Sequence, residues 1–159
     1  MYNYEKEESA NGTLFTFDTV HGYTFYVSFK SMSIETHPLS NLYSLDFGEI
    51  NNHKSPNDSC ISTTILNIII EYTTENVDNV IHYVCDSVDN RHLCREKLFS
   101  KWFELYSYDN WVRYDINYEI PDSDDCKLYF LYNSDRYAPE FLESEILLTL
   151  DSLDREKGL

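Results

Sequence analysis

Residues 111–120, WVRYDINYEI, alternate without a break. Val112, Tyr114, Ile116, Tyr118 and Ile120 stand against Arg113, Asp115, Asn117 and Glu119. A period of two places every second side chain on one face, so this stretch is a strand with one face buried. PDSDD follows as a turn, and CKLYFLYN returns as the hairpin partner. A chain with this hairpin near its end must build a sheet and find helices to cover it.

The rest of the chain supplies both. LFTFDT and YTFYVSFK read as two strands around a tight turn at Gly22, and LYSLDF (42–47) as a third. In YTFYVSFK, Tyr23, Phe25, Val27 and Phe29 form the buried set. A loop then leads into a helix capped by Ser55 or Asp58, with Ile61, Ile65, Ile68, Ile69 and Tyr72 on one face, widened by Leu66 and Ile70. NVIHYVCD is a short internal strand, and a second helix runs from about Asp89 to about Tyr106. Leu142, Ile146, Leu150 and Leu153 mark a terminal amphipathic helix from Pro139. The expectation is a single α+β domain over 1–159, with residues 1–12 frayed. Its mostly antiparallel sheet has about six strands and three helices, in the order βββ-α-β-α-ββ-α.

Charge narrows the function classes. The chain carries 28 acids against 12 bases, a formal net charge of −16. Such a surface repels nucleic-acid phosphates and anionic membranes, and it suits a basic protein partner or plain solubility. MYNYEKEES has no apolar core of a signal peptide, and ILNIII is too short to span a bilayer. The expected compartment is the cytosol, with Cys60, Cys85, Cys94 and Cys126 as reduced thiols.

The second helix carries an anomaly. At roughly 100° per residue, Leu98, Trp102 and Leu105 fall within about 40° of Arg91, and Arg95 shares the stripe. A guanidinium on a packed face must meet carboxylates or an anion. Asp86, at a strand end, and Asp89, at a helix start, are its nearest partners in sequence. Three readings stay open: a structural Asp–Arg cluster, an anion pocket built from Asp86, Asp89, Arg91 and Arg95, or arginines turned to solvent. Lys97 and Lys101 lie off this stripe and read as solvated face.

This segment resembles a small uncharacterised family of bacterial proteins, chiefly from Bacteroidota. The pattern is C-D-S-x-D-x-R-x-x-x-R-x-x-L-F-x-x-W-F, met here by Cys85, Asp86, Ser87, Asp89, Arg91, Arg95, Leu98, Phe99, Trp102 and Phe103. LFTFDTVHGYTFYVSF and ISTTILNIII fit its earlier parts, so the resemblance spans residues 14–105. Asn90 stands where the pattern has glycine. The resemblance implies no activity.

Other chemistry finds little support. His82, Cys85, His92 and Cys94 match no zinc spacing, and nothing orients a Cys–His nucleophile pair. Phosphate loops, dinucleotide glycine patterns and hydrolase elbows are missing from the sequence, so no metal and no cofactor is expected. Two functions follow. One is a non-enzymatic acidic binding protein (an immunity protein, antitoxin or inhibitor) that captures a basic protein. The other is an enzyme or sensor that binds a small anion at Asp86, Asp89, Arg91 and Arg95.

Overall fold

The computed structural model describes residues 1–32, 39–85, 97, 100, 101, 104, 110–118 and 126–157. Seven strands make one sheet: β1 Glu5–Ser9, β2 Gly12–Asp18, β3 Thr24–Ser31, β4 Leu42–Glu49, β5 Val80–Cys85, β6 Trp111–Tyr118 and β7 Cys126–Asn133. Their order across the sheet is β1-β2-β3-β4-β5-β7-β6. The β4–β5 pair is parallel and the other pairs are antiparallel. The two helices of the described residues are α1, Ser59–Glu75, and α2, Pro139–Lys157.

The α+β class holds, but the expected element count and order do not. Among the described residues there are seven strands rather than about six and two helices rather than three, in the order ββββ-α-β-ββ-α. The extra strand is β1, in the segment read as frayed. It pairs with β2 from Glu5↔Thr16 to Ser9↔Gly12. All five of its residues are exposed, so it shows no apolar alternation, and backbone hydrogen bonds hold it as a charged edge. The helix expected from about Asp89 lies almost wholly outside the described residues.

Side chains beside β1 also tie it down. Tyr2 stacks on Phe17 with ring centroids 5.9 Å apart, and Tyr4 meets the edge of Phe15 at 5.8 Å. The Tyr2 amide donates to Thr64 Oγ1 on α1 at 2.8 Å, and the Tyr2 hydroxyl donates to Asp58. Lys6 Nζ reaches Glu75 at the far end of α1, 2.7 Å away. Tyr2, ahead of β1, and Lys6, within it, thus reach opposite ends of one helix.

That helix forms where its pattern says. Asp58 is the N-cap and accepts from the Cys60 amide at 2.9 Å. Tyr2, and then the Cys60 amide, hold the Asp58 carboxyl below its ordinary value. Ile65, Leu66, Ile68, Ile69 and Tyr72 are buried, as the spacing predicts. Thr64 and Thr73 are buried too, and their hydroxyls donate back to Cys60 and Ile69 carbonyls at 2.6 and 2.8 Å. The helix ends at Asn76, whose amide donates to the Tyr72 carbonyl at 2.9 Å.

Two cores flank the sheet. On one face α1 meets Phe15, Phe29, Leu45 and Ile81, with Phe29 stacked on Tyr72 at 3.6 Å. On the other face Leu142 and Ile146 of α2 meet Val80, Phe130 and Tyr132. Strand β7 feeds both, Tyr129 and Leu131 to one side and Phe130 and Tyr132 to the other. A strand covered on both faces reads as a continuous apolar run, which is why CKLYFLYN shows little alternation. Among the described residues, no helix is long and apolar enough to cross a membrane.

Candidate functional site

Burial is uneven across this sheet. Strands β1 to β4 are covered by α1 on one face, and among the described residues no helix covers their second face beyond Leu42, which joins the α2 core. The register aligns that open face in rows. Glu7, Leu14, Ser28 and Asp46 pair successively across four strands, and Glu5, Thr16 and Tyr26 form the next row. Glu5, Glu7, Asp18 and Asp46 are exposed there, with Lys30 the exposed base beside them. Hydroxyls on β3 fix two of the acids: Tyr26 donates to Asp46 at 2.8 Å and Thr24 to Asp18 at 2.6 Å. The face is therefore acidic, ordered and open.

On the same side of the sheet, α2 covers β5, β7 and β6. Its inner stripe, Leu142, Ile146 and Leu150, is the one expected from spacing. Its outer surface carries large apolar side chains as well. Phe141 and Leu148 are each 63% exposed and Leu147 is 50% exposed. Seven residues apart, Phe141 and Leu148 project within about 20° of each other. Glu140 and Asp151 are exposed beside them. The inner stripe alone accounts for a helix, so the second set is easily overlooked. Its signal in the sequence is the run of apolar residues 146–148, which one face cannot absorb.

Asp86, Asp89, Arg91 and Arg95, the residues singled out by sequence, all lie outside the described residues, as do His92 and Cys94. Lys97 and Lys101 are exposed, as their position off the arginine stripe implies. A packed guanidinium does occur at Arg113 on β6. It lies over the Tyr129 ring at 5.3 Å, pairs with Asp115 at 3.3 Å and reaches Ser100 Oγ at 3.5 Å. This arrangement joins β6 to the segment that contains Ser100.

Cys60 is a free thiol, and among the described residues no three His, Cys, Asp or Glu side chains are grouped to hold a metal ion. His82 serves the core. Its ring stacks on Phe130 at 4.6 Å, and Nδ1 lies 3.2 Å from the Tyr129 carbonyl. Burial lowers its pKa below the ordinary 6.5, partly opposed by that hydrogen bond. The unfolded chain then takes up the proton more readily than the folded one. The resulting stability is complete above pH 6.5 and is lost as pH falls through the lower folded value. Thermal melts from about pH 7 to about pH 5 are expected to show this loss, and His82→Phe should flatten that part of the curve. An unchanged slope in the variant would assign the loss to other groups.

No curated protein and no solved structure matches this chain. Residues 57–129, from the lead-in to α1 through the first residues of β7, match the model of a family of unknown function, DUF6169.

Proposed function

We propose that the protein is a non-enzymatic acidic binding protein that captures a basic protein partner, as an immunity protein, antitoxin or inhibitor does. The observation that carries this reading is the open acidic face of β1 to β4, on a chain with a net charge of −16. Neighbouring strands lie about 4.8 Å apart. Acids on adjacent strands therefore fall within one Debye length, about 10 Å at 0.1 M salt, and act together on an approaching cation. Fields of this kind raise association rates by roughly 10 to 1,000-fold. In the same reading the protein works in the cytosol, and residues 85–103 are the signature of a small, chiefly Bacteroidota, family.

An affinity pull-down from the native host with mass spectrometry should return a basic protein. Its association rate with the purified chain is expected to fall steeply with salt, while fold stability changes little. A variant carrying Glu5→Gln, Glu7→Gln, Asp18→Asn and Asp46→Asn should associate more slowly at low salt. A rate that stays constant between about 50 and 500 mM salt would reject electrostatic capture.

A further inference from the structure

We propose that the outer stripe of α2 is where the partner docks, and that the docking element is an amphipathic helix with lysine or arginine flanking its apolar side. The inference rests on the acidic-capture reading and gives it a location. Phe141, Leu147 and Leu148 are large apolar side chains at least half exposed on one helix. An apolar group with a polar rim is the usual anatomy of a protein interface, with aromatic residues prominent among its anchors. Folding does not require these side chains outside, because Leu142 and Ile146 already bury the helix against the sheet.

Charge selects the occupant. From Pro139 to Lys157 the helix carries Glu140, Glu143, Glu145, Asp151, Asp154 and Glu156 against Arg155 and Lys157, both in its last turn. Tyr132 donates to Glu143 at 3.2 Å on the inner side, while Glu140 and Asp151 are exposed beside the stripe. A second copy of the chain would bring the same carboxylates face to face, with −16 on each molecule. Like charges opposed across an interface weaken it. A basic amphipathic helix satisfies both features: its apolar residues take up Phe141 and Leu148, and its cations meet the acidic rim. The open acidic face of β1 to β4 lies on the same side of the sheet, so it steers the same partner toward α2.

The test uses two synthetic peptides of leucine and lysine with identical composition, one in amphipathic helical order and one scrambled. The full chain should bind the ordered peptide at least about tenfold more tightly than the scrambled one. Phe141→Ser with Leu148→Ser should remove that preference, keep the salt-dependent attraction for both peptides, and leave the melting temperature within a few degrees. Equal binding of the two peptides by the unaltered chain would overturn the docking site while leaving capture by charge in place. No binding of either at low salt would reject both. Self-association of the unaltered chain that the double substitution abolishes would also overturn the proposal, because the stripe would then be covered by a second copy.

Discussion

A Gly12→Ala variant is expected to lose about 3 kcal/mol or more of unfolding free energy, the sum of backbone strain and overpacking. Gly12 opens β2 with φ at 147°, a conformation that residues bearing a Cβ rarely adopt. A Cβ at this position would stand 2.0 Å from the Phe29 carbonyl oxygen and 3.0 Å from the Lys30 Cα. Both are backbone atoms of β3, so no side chain can swing aside. The strands must part, which breaks the Gly12↔Lys30 pairing and strains the 2.7 Å bond from the Ser31 amide to the Asn11 carbonyl. Gly22→Ala is the control. Gly22 also has positive φ, at 82°, but nothing lies within 4 Å of its added Cβ. It should cost about 1 to 2 kcal/mol, the backbone term alone. Urea melts of both variants measure the difference, and equal losses would refute the steric account.

Phe29→Ala should cost a comparable amount, about 3 to 5 kcal/mol, the usual range for an aromatic core residue. Phe29 is fully buried, stacks on Tyr72 at 3.6 Å and meets Phe15 edge-on at 6.2 Å. Its removal loosens β2 and β3 from the C-terminal turn of α1, where Tyr72 sits. Phe29→Leu keeps much of the volume and should recover more than half of the loss. If alanine and leucine were equally harmful, specific ring stacking rather than filled space would be holding the helix to the sheet.

The contrast between these sites and β1 explains what could be read in the sequence. Phe25, Val27 and Phe29, or Ile65, Ile68 and Tyr72, declare their element because burial repeats with the period of the backbone. Strand β1 has no such repeat. Its place is set by a tight hairpin with β2, for which the Asn11-Gly12 pair is the local sign, and by Tyr2, whose partners Asp58 and Thr64 are distant in the chain. The order of strands is equally non-local: nothing in LYSLDF or NVIHYVCD announces that they run side by side in parallel. WVRYDINYEI proves to be an edge strand, alternating because Val112, Tyr114 and Ile116 face the α2 core. The open acidic face could be inferred in part, since Thr24, Tyr26, Ser28 and Lys30 are the polar half of a clear alternation. The Asp86, Asp89, Arg91 and Arg95 set remains a statement about sequence.

The parallel joint between β4 and β5 decides what a shorter piece of this chain can be. Three registered pairs make it, from Leu42↔Val80 to Ser44↔His82. Strands β1 to β4 follow one another through short local connections, whereas β5 returns to β4 only across α1. Residues 57–129 hold α1, β5, β6 and the opening of β7, but not Phe15, Phe29 or Leu45, which receive the apolar side of α1. Trimmed to those limits, Ile65, Ile68 and Ile69 would keep Ile81, Tyr83 and Tyr129 but lose Phe15, Phe29 and Leu45. The stretch that matches the family model therefore holds only part of the surface on which its helix packs, and the rest comes from strands made from the preceding residues.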